Sequence, residues 1–109
     1  MDKPVIVKFR NPLLKESFDR LSESDPLKKR IRRAIEGIMQ NPLSYGQPIG
    51  KNKIPKIYFN EGFTNAYWVD LSKSWRLIYT LTSINEIEIL AIILEWFTSH
   101  KEYERRFNY

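Results

Sequence analysis

Ala66-Tyr-Trp-Val-Asp-Leu-Ser-Lys-Ser-Trp-Arg-Leu-Ile-Tyr-Thr-Leu81 consists of two alternating segments meeting at Ser72, Lys73 and Ser74. A hairpin loop over those residues sets Leu71 opposite Trp75, Asp70 opposite Arg76, Val69 opposite Leu77 and Trp68 opposite Ile78. Strand side chains alternate between faces, so Tyr67, Val69, Leu71, Trp75, Leu77, Tyr79 and Leu81 share one, and Trp68, Asp70, Arg76, Ile78 and Thr80 share the other. The first face is apolar or aromatic throughout and is expected to be core. The second puts a guanidinium and a carboxylate in mid-sheet, where a charge must be paired, solvated or bound to an anion. Function is to be sought on that open face.

Downstream, a turn near Ser83 to Asn85 leads into Glu86-Ile-Glu-Ile-Leu-Ala-Ile-Ile-Leu94, which reads as a central strand covered on both sides. Ser99-His100-Lys101-Glu102 has capping-box spacing and starts a short terminal helix with Tyr103 and Phe107 on its inner face. Upstream, Val5 to Phe9 alternates as a half-buried strand. Asn11-Pro12 then starts a helix with Leu14, Phe18 and Leu21 on one side, ending near Ser22. Asp25-Pro26 starts a longer helix with the stripe Leu27, Ile31, Ala34, Ile35 and Ile38. Its cluster Lys28, Lys29, Arg30, Arg32 and Arg33 reads either as a nucleic-acid patch or as a solvated helix face. Residues 41–52, with Pro42, Gly46, Pro48 and Gly50, read as a loop. Lys53-Ile-Pro-Lys-Ile-Tyr-Phe59 reads as a short edge strand interrupted by Pro55. The expected fold is α+β: an N-terminal helical hairpin packed on one face of a twisted, largely antiparallel four-stranded sheet, with a short C-terminal helix, all in a single domain over 1–109.

A chain of 109 residues has room for one core, and 42% hydrophobic with 14% aromatic residues argues for a packed globule rather than a disordered chain. The net charge of +5 favours acidic or polyanionic partners. With no cysteine and His100 as the single histidine, disulfides, thiolate clusters and multi-histidine metal sites are excluded by inventory. Chemistry falls to Lys, Arg, Glu, Asp, Tyr and His100. No apolar run approaches the roughly eighteen residues of a membrane span. The start, Asp2-Lys3-Pro4, has neither signal-peptide nor transit-peptide character, so a cytoplasmic protein is expected.

The helical hairpin after a first strand, the motif Asn65-Ala-Tyr-Trp-Val-Asp-Leu-Ser-Lys-Ser-Trp-Arg-Leu-Ile-Tyr-Thr-Leu81 and the ending His100-Lys-Glu-Tyr-Glu-Arg-Arg-Phe-Asn-Tyr109 resemble the RelE/ParE superfamily of toxins from type II toxin-antitoxin modules. The resemblance covers nearly the whole chain. It implies a toxin held by a small, acidic, partly disordered antitoxin. The family's ribosome-dependent members cleave messenger RNA in the decoding site without metal or cofactor, whereas the ParE branch poisons DNA gyrase. A non-catalytic binding protein of the same fold is the remaining alternative.

Metal-free RNA cleavage needs a proton acceptor for the attacking 2′-hydroxyl, cationic donors for the pentavalent phosphate and a proton for the leaving 5′-oxygen. On the resemblance, Arg76 takes the phosphate, which the guanidinium fork matches. Arg105 and Arg106 are the next cations, His100 is the group that titrates near neutral pH, and Tyr103 or Tyr109 stacks on a base. Lys53 and Lys56 bind flanking phosphate or, if their pKa values are depressed, stand in for a base, for which Glu102 is a further candidate. Each has a plainer reading. Arg76 opposite Asp70 forms a cross-strand ion pair worth about 0.2–1 kcal/mol; His100 is a surface residue, Tyr103 and Phe107 are core anchors, and Glu102 is a cap. A catalytic site requires Arg76 and the terminal arginines to converge, whereas a binding module scatters them.

Overall fold

In a computed structural model the structure describes residues 4–107. The element order is β1 (Val5–Phe9), α1 (Pro12–Asp19), α2 (Pro26–Gln40), β2 (Gln47–Pro48), a 3-10 turn (Lys51–Lys53), α3 (Lys56–Asn60), β3 (Tyr67–Asp70), β4 (Arg76–Ser83), β5 (Ile89–Phe97) and α4 (His100–Phe107). The sheet has five strands in the order β1-β5-β4-β3-β2. It is mixed: β1 runs parallel to β5, and the other pairs are antiparallel. The expected four strands are corrected to five and β1 is parallel to its neighbour, while the other pairs keep the sheet largely antiparallel. The helical hairpin carries the chain from β1 to β2 at the far edge of the sheet, and three antiparallel steps through β3 and β4 bring β5 back beside β1.

Helix starts follow the sequence. The Asn11 side chain accepts from the Leu14 amide, Asp25 accepts from the Leu27 amide, and a proline opens each helix. β3 and β4 pair in the expected register, Trp68 with Ile78 and Asp70 with Arg76. Val69, Leu71, Leu77 and Tyr79 accordingly pack with Phe18, Ile31, Ala34 and Ile38 of α1 and α2.

Three further expectations are corrected. Lys53 to Phe59 is not a strand: Pro55 sits at the N-cap of α3 without a donor, and Ile54 and Tyr58, four residues apart, turn inward together. The loop over 41–52 contributes β2, Gln47 and Pro48 pairing with Trp68 and Tyr67. The last strand starts at Ile89 rather than Glu86, because the Asn85 side chain accepts from the Ile87 and Glu88 amides and prolongs the turn.

The second sheet face is not open over its length. Trp68, Ile78, Leu94 and Phe97 on that face are roofed by Ile54 and Tyr58 from the α3 segment and by Tyr103 and Phe107 of α4. Opposite Ile78 and Tyr79 the β4–β5 register slips: Ile78 pairs with Glu95 and Tyr79 with Ile93, leaving Leu94 as the extra residue. This bulge puts Leu94 and Glu95 together on the roofed face and returns Trp96 to the hairpin face.

Gly46 is fixed by a close approach. A Cβ there would lie 2.7 Å from Cε1 and 2.8 Å from Oη of Tyr79, a fully buried ring stacked on Tyr67. The Tyr79 hydroxyl accepts the Gly46 amide at 2.9 Å and donates to the Pro42 carbonyl at 2.8 Å, pinning the loop to the sheet. Burial pushes that hydroxyl up to about 12.

Two stability predictions follow from this packing. Gly46→Ala should cost about 1–3 kcal/mol in denaturant unfolding, the size of an overpacked core contact; an unchanged midpoint would show that Tyr79 yields freely. The Glu23 carboxyl is held down at about 2, first by the hydrogen bond from Arg32 and then by that from Lys28. A depressed carboxyl contributes stability above its ordinary value of 4.5 and loses it as pH falls towards about 2. The gap in melting temperature between wild type and Glu23→Gln should therefore be full at pH 6, close between pH 4.5 and 2, and narrow in high salt, since Glu23 is exposed. A gap indifferent to pH would discard the assignment.

Candidate functional site

α4 follows β5 after a two-residue turn and lies back on the sheet because its inner residues, Tyr103 and Phe107, are the ones that bury. Tyr103 stacks on Phe107 at 4.7 Å and meets Phe97 edge-on at 5.8 Å. That placement brings α4 to Arg76.

The Arg76 guanidinium lies 4.1 Å from the Trp68 ring centre and 4.7 Å from that of Tyr103. Trp68 and Arg76 are diagonal neighbours across β3 and β4, so the contact follows from the hairpin register. Each such contact contributes about 0.5–2 kcal/mol according to its desolvation. Nε donates to Asp70 Oδ1 at 3.2 Å, and the side chain remains 28% exposed. Among the described residues this is the only hydrogen bond of the guanidinium. The result is a cation whose plane is restrained by two rings and whose Nη edge is left for an anion. Arg76 faces away from the N-terminal helices, beside the C-terminal helix.

Arg105 and Arg106 lie across a cleft of about 760 Å³ from Lys53 and Lys56, with Ile54, Pro55, Ile57 and Phe107 beneath. Four of the residues expected from the sequence meet here, two from the segment 51–56 and two from α4. A second cleft of about 410 Å³, lined by Glu95, Phe97, Glu102, Arg105 and Arg106 among others, opens on the sheet side of the same helix. His100 stands at the other end of α4, exposed, with Nε2 3.0 Å from Glu104 Oε1 and its ring stacked at 6.4 Å on Tyr103. Tyr103 itself is 4% exposed, and it serves as the platform beneath Arg76 and as an anchor of the core. Tyr109 lies outside the described residues.

Sequence reasoning missed a polar network under α4. Glu95 accepts from the Tyr58 hydroxyl through Oε2 and from Arg106 Nη2 at 3.0 Å through Oε1. Burial and the Glu95 charge push the Tyr58 hydroxyl far above its ordinary value, so it stays a donor. Arg10, at the end of β1, lies 5.7 Å over the Tyr58 ring and pairs with Glu61, which raises the guanidinium and lowers the carboxyl. The Nε of Arg106 is buried without an acceptor among the described residues. A signal was present: Glu95 is the lone carboxylate in the run Ile89–Phe97, and a charge in a buried strand calls for a partner. Among the described residues no group of three His, Asp or Glu is placed to hold a metal ion, and no helix is long and apolar enough to cross a membrane.

Compared with known proteins, the chain matches no family model, no curated protein and no solved structure.

Removing Glu95 leaves Arg106 without its carboxylate in a setting where one donor already lacks a partner. Glu95→Ala should cost about 2 kcal/mol in equilibrium unfolding, less than the roughly 3–5 kcal/mol of a fully buried broken pair because Arg106 is about a third exposed. Tyr58→Phe should cost less, since the hydroxyl leaves together with its need for an acceptor. Equal, negligible losses would show that the network does not hold α4 down.

Proposed function

We propose that this chain is the toxin of a type II toxin-antitoxin system: a cytoplasmic, ribosome-dependent, metal-independent endoribonuclease that cleaves messenger RNA. The observation that carries the reading is the Arg76 guanidinium set against Trp68 and Tyr103, beside the same helix α4 whose Arg105 and Arg106 line a separate cleft with Lys53 and Lys56. The net charge of +5 and the resemblance of the hairpin and terminal motifs to RelE/ParE toxins support it.

In this reading the 2′-oxygen attacks the adjacent phosphorus, its proton passes to a base, and the 5′-oxygen leaves with a proton, giving a cyclic phosphate and a free 5′-hydroxyl. Arg76 stabilises the charge that builds on the phosphate. Its restraint between two rings means little reorganisation is needed at the transition state. Lys53, Lys56, Arg105 and Arg106 draw in the flanking strand along their cleft. His100 is the candidate for proton transfer, with Glu104 orienting its ring. An acidic antitoxin segment folding over α4 would block phosphate access and match the basic surface.

Induced expression should arrest growth with messages cut at discrete positions when RNA ends are mapped, and Arg76→Ala should lower cleavage on the order of a hundredfold, as for loss of one preorganised donor. Intact messages with gyrase trapped on DNA would transfer the chain to the ParE mode. Intact messages with normal growth would leave a binding protein of this fold.

A further inference from the structure

The structure sorts the basic cluster of α2 into two groups. Lys28 is 5% exposed and donates to the Asp19 and Leu21 carbonyls and to Glu23, and Arg32 also donates to Glu23. Both close the helical hairpin and belong to the fold. Lys29, Arg30 and Arg33 are exposed on another side of the helix, Arg33 lying four residues after Lys29 and three after Arg30. Arg30 Nη1 donates to the Leu71 carbonyl at 2.7 Å, which fixes that guanidinium against the end of β3. Arg33 has no hydrogen bond or ion pair among the described residues. Arg30 and Arg33, with Tyr45, Asp70 and Leu71, line a cleft of about 220 Å³.

Asp70 is the link. It forms one wall of that cleft, and it is also the carboxylate that accepts from Arg76 Nε at 3.2 Å. Asp70 therefore stands between the Arg30–Arg33 cleft and Arg76, with its side chain 59% exposed. A strand leaving Arg76 around the end of the β3–β4 hairpin would meet these two arginines next.

We propose that the Arg30–Arg33 cleft is a second phosphate site, taking a backbone phosphate of the same single-stranded RNA whose reacting phosphate Arg76 holds. The proposal rests on the RNA reading above and extends it to a strand path over α2. Guanidinium forks match phosphate oxygens in pairs, and Arg30 is already oriented by its backbone bond. Tyr45 sets an aromatic ring beside the phosphates, as single-strand sites do. The cleft has no apolar pocket, and Asp70, whose charge would repel a phosphate, is already matched by Arg76. A protein segment would find no central anchor there of the kind that dominates protein interfaces, whereas a polyanion needs none.

The test is the salt dependence of binding to a short, fluorescently labelled single-stranded RNA, 2′-O-methylated so that it cannot be cut, read by anisotropy from about 50 to 200 mM salt. Each single-strand phosphate contact contributes about 0.7 to the slope of log affinity against log salt. Arg33→Ala, which removes no contact of the fold, should flatten the slope by about 0.7, and Arg30→Ala/Arg33→Ala by about 1.4. Wild-type slopes in both variants, with binding still weakened by Arg76→Ala, would overturn the second site and leave the RNA reading intact. Failure of wild type to bind RNA at all would overturn the second site and leave the ribosome-dependent reading to the mapped message ends. Polyglutamate binding that is lost in Arg33→Ala, without RNA binding, would hand the cleft to an acidic protein.

Discussion

Leu77, Ile78, Tyr79 and Thr80 are successive residues of β4, and all four are buried. Neighbouring side chains of a strand point to opposite faces, so burial of a continuous run demands cover on both sides of the sheet. α1 and α2 supply one cover. The other comes from the 54–58 segment and α4, short pieces that would not be stable helices alone and that hold because Ile54, Tyr58, Tyr103 and Phe107 find Ile78, Leu94 and Phe97 beneath them. The candidate site depends on this second layer, since it seats the terminal arginines and Tyr103 next to strand residues far away in sequence.

The bulge in β5 carries a second consequence. With regular alternation Glu95 would share the hairpin face with Ile93, inside an apolar layer with nothing to receive its charge. The extra residue, Leu94, returns Glu95 to the side where the Tyr58 hydroxyl and Arg106 meet it. A buried carboxylate gains little net stability from its partners, but it is costly when they are absent, so the network favours one seating of α4 over others. α3, β5 and α4 are thereby tied by charge as well as by packing, and Arg106 of that tie also lines the cleft with Lys53, Lys56 and Arg105.

The excess of positive charge is also sorted by the fold. Lys28 and Arg32 close the turn between α1 and α2 through Glu23, and Arg10 is matched by Glu61. Lys53, Lys56, Arg105 and Arg106 border the clefts along α4, and Arg30 and Arg33 the one at the end of β3. A polyanion would be drawn to that rim by the net field and held by the few guanidinium groups whose orientation is already fixed, Arg76 by two rings and Arg30 by a carbonyl.

The sequence by itself determined what depends on neighbours along the chain. The Asn11 and Asp25 caps started the helices where expected, the apolar stripe of α2 gave its buried side, and the Asp70–Arg76 register followed from the loop at Ser72 to Ser74. Arg76, Arg105, Arg106, Lys53 and Lys56 were legible as candidates because their residue types and motifs are local properties. Tertiary structure decided what depends on distant partners. Lys53 to Phe59 pattern equally well as strand or helix, and the hydrophobic face to be covered chose helix. β1 joined the sheet in parallel beside β5, a pairing that no local pattern encodes. The bulge at Leu94 and the burial of Glu95 arose from register between strands. Which cations were matched and which were left facing solvent was fixed only when carboxylates up to 51 positions away in sequence came within reach, because Coulomb attraction and hydrogen bonding act through space and the sequence orders residues only along the chain.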